Sequence, residues 1–399
     1  MNVFKKAYCR IYQNIFHMAL PFLPYRNPSI ERHLSAVPGI LKKEGVGKPL
    51  IVTDLNLSRL GYITPVKNEL IMAGLDFAVF DGAFPNPTVG LAKSAHDVYM
   101  DKGCDSIIAL GGGSPMDLAK AVGIMEARPD KPLSSMGGIL KVRKKLPLLI
   151  AVPTTAGTGS ETTLAAVLID DETRHKFAVN DFPLIPKYAI LDQAMVHSVP
   201  ELTAVTTGLD ALTHAVEAYI GGSTTRLTRE ASERAVFLIF RNLEAAAAHS
   251  SANAEGAMLA AAHYAGRAFT RSYVGYVHAL SHALSGAYDL PHGWTNAVLL
   301  PIVLRRYGSV INKKLAALSL CAGLGSDGDD TDVLAEKFIS AIERINRKYG
   351  IPDHIDAIRD EDIKMLAGYA DKEANPLYPV PVLWGRKELE KIYKDIQGR

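Results

Sequence analysis

Ser106-Ile-Ile-Ala-Leu-Gly-Gly-Gly-Ser-Pro-Met-Asp117 is an apolar run that passes through three glycines into the start of a helix. A run without polar alternation suits a parallel strand covered on both faces. Ser114 is placed to cap the helix, Pro115 suits its first position, and Asp117 completes a capping box. Glycines 111 to 113 carry no Cβ, so a phosphate can approach the backbone, and the helix start offers free N–H groups. The βα turn therefore predicts a pyrophosphate site at Gly111, Gly112, Gly113 and Ser114. It is neither a GxGxxG fingerprint nor a P-loop.

Further strands are expected at Pro49–Asp54, Asp76–Phe80, Leu146–Val152 and Tyr188–Leu191, with helices between the early ones. Such a βαβα series implies a doubly wound α/β sheet. A hairpin is expected from Ala165–Asp170 and His175–Asn180. The fourth strand runs into Pro153-Thr-Thr-Ala-Gly-Thr-Gly-Ser-Glu161, whose hydroxyls lie where open parallel sheets bind ligands. Asp54 ends the first strand of the series. A carboxylate there can accept both hydroxyls of an adenosine ribose and would repel a 2′-phosphate, favouring NAD over NADP. In the usual fingerprint that acid follows the glycine loop, whereas here it precedes it.

Beyond Pro200 the pattern turns helical: Glu201–Tyr219, Leu227–Ala248, Ser251–Arg271, His278–Tyr288, Asn296–Leu324 and Thr331–Tyr349. The expected division is an α/β dinucleotide-binding domain over residues 1–195, with a helical N-terminal extension, and an all-helical metal-binding domain over 196–399. A chain of 399 residues is long enough for two domains.

A net charge of +2 implies no bulk attraction to nucleic acid or membrane. Three cysteines without a CxxC pair argue against a disulfide framework or a thiolate zinc site, and fit the reducing cytoplasm. Phe4–Tyr25 is apolar but broken by Lys5, Lys6, Arg10, Gln13, Asn14 and His17, so no membrane span is expected. An amphipathic helix docked on the body of the protein is expected instead, with a membrane-surface helix as the alternative. Lys141–Lys145 reads as a solvated basic loop.

Asp210 and His214 lie four apart and share a helical face, while His278 and His292 come from a second segment, His292 in a Pro291-His-Gly293 loop. One carboxylate and three imidazoles suit a divalent transition metal. Each histidine alone is ambiguous, and His96, His197, His249 and His263 are given no role. His282 lies four residues after His278 and shares its helical face.

Ala189-Ile-Leu-Asp192, Pro200 and Val205 to Glu217 resemble the first signature of the iron-dependent (group III) alcohol dehydrogenases, and Gly275–Thr295 the second. The glycine and threonine loops are similar to that family's cofactor loops. The resemblance implies a dehydroquinate synthase-like architecture and metal ligation by Asp210, His214, His278 and His292. It also implies proton transfer through His282, ribose binding by Asp54 and pyrophosphate binding by Gly111–Ser114. Asn86, Thr154, Thr155, Thr158 and Lys176 match cofactor-side positions. It implies Fe(II), with zinc, cobalt, nickel or manganese able to occupy the site, and NAD rather than NADP. The reaction expected is interconversion of a primary alcohol or diol with an aldehyde, in an interdomain cleft of a homodimer. Two alternatives share the fold. A glycerol-type dehydrogenase has three zinc ligands, and His278 as a fourth argues against it. A dehydroquinate-synthase-like lyase needs basic phosphate-binding residues near the metal, where this chain has Ala, Leu, Ser and Tyr. The segment before Asn27 is longer than is typical of the family, and the basic loop fits no signature. Phe269, Tyr273, Tyr276 and Trp294 are candidates to line a substrate pocket.

Overall fold

The computed structural model describes residues 1–173 and 176–398, so His175 of the expected hairpin lies outside the described residues. Contacts divide the chain into two units. One comprises Pro24–Val199 and Ser251–Leu259, the other Met1–Leu23, Pro200–Ser250 and Ala260–Arg399.

The first unit is built on a six-stranded parallel sheet. Its strands are β1 (Ser29–Glu31), β2 (Pro49–Asp54), β3 (Ala78–Ala83), β4 (Ser106–Gly111), β6 (Leu148–Pro153) and β9 (Tyr188–Ile190), in spatial order β1-β9-β6-β4-β2-β3. The lack of polar alternation has a direct cause. Leu50, Val52, Ile107 and Ala109 enter one buried cluster, while Ile51, Ile108, Leu110 and Ile150 enter another on the opposite face. A smaller sheet joins β5 (Gly138–Ile139), β7 (Ala165–Ile169) and β8 (Lys176–Asn180), with β7 and β8 antiparallel. Strands β1 and β5 are three and two residues long and exposed, too short to leave a pattern in sequence.

The helix after β4 begins at Gly113, not at Pro115, and its N-cap Gly112 makes no side-chain cap bond. The expected Ser114–Asp117 capping box is absent because Asp117 is used elsewhere. Its carboxylate accepts the Val167 amide at 3.2 Å and the Ser160 hydroxyl at 3.4 Å. Lys120, one turn on, is fully buried. Its ammonium donates to the Ser160 and Ala165 carbonyls at 2.9 and 2.8 Å and to the Thr163 hydroxyl at 2.8 Å. Burial lowers the Lys120 pKa to about 8, and the Asp117 and Glu161 charges oppose that fall. Burial likewise raises Asp117 to about 6, against the pull of Lys120. This helix thereby clamps the threonine loop after β6.

The second unit is helical. Its main helices are Glu201–Ile220, Arg226–Ala247, Tyr276–Tyr288, His292–Tyr307, Thr331–Lys348, Ile363–Ala374 and Arg386–Ile396. The long helix expected from Asn296 to Leu324 breaks at Gly308, which adopts a positive φ of 60°. Residues 1–23 belong here, not with the α/β unit. The N-terminal helix, Val3–Ala19, is held by Arg10 on the Val380 and Pro381 carbonyls and by Gln13 on the Tyr378 carbonyl. Among the described residues no helix is long and apolar enough to cross a membrane.

Replacing Lys120 by methionine leaves its buried oxygen acceptors unmatched. The expected loss of stability is about 3–5 kcal/mol, read by chemical denaturation.

Candidate functional site

Helix Glu201–Ile220 carries Asp210, His214 and Glu217 at i, i+4 and i+7, so all three face the same side. All are buried. Helix Tyr276–Tyr288 brings His278, and helix His292–Tyr307 brings His292. His292 was expected in a loop, but it is the first residue of a helix whose N-cap is Pro291. Its position follows from Gly293. A Cβ there would stand 2.7 Å from the Thr206 carbonyl oxygen, so a side chain would push this helix start away from helix Glu201–Ile220.

Three imidazole nitrogens surround one oxygen, Asp210 Oδ1. His292 Nε2 lies at 3.6 Å, His278 Nε2 at 3.9 Å and His214 Nδ1 at 4.0 Å. Asp210, His214 and His278 form a cluster able to hold a metal ion. Single-ion bonds of about 2.0–2.2 Å span such separations. A carboxylate with imidazoles suits a divalent transition metal, and His292, the fourth expected ligand, stands outside that group of three with its Nε2 3.6 Å from Asp210 Oδ1.

His278 Nδ1 lies 2.6 Å from Glu217 Oε2; with Glu217 ionised, Nδ1 donates and Nε2 keeps its lone pair toward Asp210. The same Glu217 carboxylate accepts the Gly275 and Val277 amides at 2.8 and 2.7 Å, capping helix Tyr276–Tyr288 from another helix. Burial pushes the Glu217 carboxyl up to about 8, and the backbone amides of Gly275, Val277 and His278 pull it down. Burial, and then the neighbouring imidazoles of His214, His292 and His282, hold His278 well below the usual imidazole range. Gly275 makes room for this contact, since a Cβ would come within 2.6 Å of Glu217 Oε1.

Three residues missed in the sequence complete the site. Glu217 sits in the first signature but had no role. The Asn296 amide nitrogen donates to Asp210 Oδ1 at 2.7 Å and lies 3.1 Å from His292 Nε2. It is four residues after His292, a helical spacing that would have revealed it. Glu373 accepts from His282 Nδ1 at 2.6 Å and from the Tyr378 hydroxyl at 2.7 Å. Nothing local in the sequence links Glu373 to His282. The His282 ring stacks on His292 at 4.9 Å and stands edge-on to His278 at 5.8 Å. Two pocket candidates prove to be packing. Tyr276 is fully buried against Trp384, and Tyr273 packs edge-on against Phe16. Phe269 stacks on His214 at 4.1 Å.

In the α/β unit the two expected loops meet. Gly111 pairs with Pro153 in the sheet, and the Thr154 amide donates to the Gly111 carbonyl at 3.1 Å. Gly111 has a φ of 150°, and a Cβ on it would strike Pro115 at 2.5 Å. Cβ atoms on Gly112 and Gly113 would stand 3.3 Å from Thr155 and Thr158. Thr155 and Thr158 thus line the glycine backbone, and Ser114 follows in the helix. Asp54 caps the short helix Leu55–Arg59 through Oδ1, which accepts the Leu57 amide at 2.9 Å. Lys176 donates to Asn86 Oδ1 at 2.7 Å, pairing two more of the expected positions.

The chain matches the iron-containing alcohol dehydrogenase model over residues 30–193 and the C-terminal model of the same family over 204–397. It belongs to the iron-containing alcohol dehydrogenase family. It is 37% identical to a 1,3-propanediol dehydrogenase of Citrobacter freundii, over 95% of this chain and 98% of that one. It is 35% identical to lactaldehyde reductase of Escherichia coli, over 84% and 88%. The solved structure of a 1,3-propanediol oxidoreductase matches with a TM-score of 0.89 at 36% identity, covering 93% of this chain and 99% of that one. An alcohol dehydrogenase from Oenococcus oeni matches with a TM-score of 0.88 at 33% identity, over 93% and 100%. The family's α/β and helical parts correspond to the two units described above, and the protein is an oxidoreductase of the alcohol dehydrogenase type.

Replacing Glu217 by alanine removes the carboxylate that orients His278. Calorimetric titration with Zn(II) is expected to show roughly 10–100-fold weaker binding, with the helical signal retained. Gly293→Ala is expected to weaken metal binding in the same assay by displacing His292.

Proposed function

We propose that this enzyme interconverts a primary alcohol or short diol with its aldehyde, using NAD and a divalent metal held by Asp210, His214, His278 and His292. The observation that carries the reading is the convergence of three imidazole nitrogens on Asp210 Oδ1, with His278 oriented by Glu217. The substrate class rests on the relatives named for 1,3-propanediol and lactaldehyde. The choice of NAD is supported by Asp54 at the end of β2 and by a related sulfoacetaldehyde reductase solved with NAD+, at 25% identity and a TM-score of 0.81.

A bound divalent ion supplies Lewis acidity toward the alcohol or carbonyl oxygen, and the nicotinamide supplies a hydride acceptor or donor. One carboxylate and three imidazoles suit Fe(II) and also admit zinc. Gly111–Ser114 with Thr154, Thr155 and Thr158 hold the pyrophosphate at a helix start. Asp54 binds the ribose, and the Asn86–Lys176 pair flanks the cofactor. His282 has Nδ1 engaged by Glu373, which leaves Nε2 to take up the proton from the substrate hydroxyl, or to return it in reduction. Glu373 and Tyr378 hold the ring in that orientation.

After Fe(II) reconstitution without oxygen, short aldehydes are expected to oxidise NADH, and chelation followed by dialysis to abolish the rate. A full rate in metal-depleted protein overturns the metal role. Asp54→Asn keeps the cap on Leu57 but removes the charge, and is expected to raise the NADPH-to-NADH preference roughly tenfold. Glu373→Gln is expected to lower kcat by about tenfold at unchanged KM, with Glu373→Asp recovering part of it.

A further inference from the structure

His292 has a chain of hydroxyl groups behind its ring. Its Nδ1 lies 3.2 Å from Ser281 Oγ, and Ser281 Oγ lies 2.5 Å from Thr295 Oγ1. Thr295 Oγ1 stands 2.9 Å from the His292 carbonyl oxygen and 3.4 Å from that of Pro291. Ser281 comes from helix Tyr276–Tyr288 and Thr295 from helix His292–Tyr307. Both are fully buried, so bulk water does not compete for their protons.

The direction of the chain is fixed at its far end. A carbonyl oxygen can only accept, so Thr295 donates to the first turn of its own helix. Its oxygen then accepts the Ser281 proton, and Ser281 Oγ is left to accept from His292 Nδ1. A competing bond from Ser281 to the His292 carbonyl would be long, at 3.5 Å. The other side of the ring agrees. The Asn296 amide presents its nitrogen to the Asp210 carboxylate at 2.7 Å, and the same nitrogen lies 3.1 Å from His292 Nε2. An N–H donor faces Nε2, so Nε2 is the nitrogen that carries the lone pair. Two independent paths, one ending on a backbone carbonyl and one on a carboxylate, put the proton on Nδ1.

We propose that the Ser281–Thr295 hydroxyl pair is the positioning device for His292, holding it in the Nδ1–H tautomer so that Nε2 keeps its lone pair for the divalent ion. The inference deepens the metal site proposed above and rests on His292 being one of its ligands. An imidazole binds a metal through an unprotonated nitrogen, and a hydrogen bond at the other nitrogen fixes both tautomer and ring angle. Glu217 does this for His278 with a carboxylate, whereas His292 is served by two neutral hydroxyls. Thr295 therefore controls a ring that its side chain does not touch.

The test reads the tautomer by NMR in metal-free protein labelled at the histidine nitrogens, above the usual imidazole titration range. His292→Ala identifies the His292 signals, and the wild-type ring is expected to carry its proton on Nδ1. Thr295→Val keeps the shape of the side chain but removes the acceptor of the Ser281 proton, which is then free to turn toward Nδ1. His292 is expected to shift toward the Nε2–H form, and calorimetric Zn(II) affinity to fall about tenfold. Thr295→Ser restores both, and Ser281→Ala is expected to weaken Zn(II) binding by a similar factor. A loss of packing alone would not move the proton on the ring. A wild-type His292 protonated on Nε2, or a Thr295→Val protein with wild-type tautomer and affinity, overturns the proposal. If His292→Ala weakens Zn(II) binding and Ser281→Ala does not, the proposal falls and the ligand assignment stands. If His292→Ala binds Zn(II) as tightly as the wild type, both fall.

Discussion

One buried carboxylate, Glu217, ties the helical unit together. It accepts three N–H groups, two from the start of helix Tyr276–Tyr288 and one from His278. Burying a carboxylate is unfavourable unless donors replace its water, and here a helix start and an imidazole do so. The bond therefore serves two ends at once. It anchors one helix on another, and it turns the Nε2 lone pair of His278 toward Asp210. Gly275 is the structural condition for it, because a side chain there would occupy the position of the Glu217 oxygen.

The α/β unit depends on a similar economy of buried charge. Lys120 satisfies oxygens of the 160–165 segment and so holds the threonine loop against the glycine loop. Asp117, expected to close a capping box, belongs to this network instead. Competing long-range partners outbid a local cap because they are buried, where an unmet amide or carboxylate is most unfavourable. The helix start is left with its N–H groups unclaimed by side-chain caps, the condition an anion site requires.

Much of the architecture was legible. Strands β2, β4 and β6 showed themselves as unbroken apolar runs because both faces are covered. The helices after Pro200 showed themselves through alanine and leucine density. Asp210 and His214 were readable as a pair because 3.6 residues per turn puts i and i+4 on one face. The first turn of helix His292–Tyr307 was misread because Pro291 and Gly293 resemble loop residues. In fact proline stands at the cap, and glycine permits close approach to Thr206. Glu373 could not be read at all, since 91 residues separate it from His282.

The N-terminal helix marks the boundary between the two kinds of information. Sequence alone determined that it is a helix with an apolar stripe, since spacing along one chain encodes periodicity. It also determined the Asp210–His214 pair and the strand–glycine–helix turn, both set by neighbouring residues. Which face of that helix meets the protein was decided only by tertiary contacts: the carbonyls of residues 376–381 bind Arg10 and Gln13, Phe16 packs on Tyr273, and Cys9 is buried. The meeting of Glu217 with His278, and of Glu373 with His282, was likewise a tertiary outcome. Each such contact joins groups that share no local geometry, and the packing of whole elements alone can bring them within hydrogen-bonding distance.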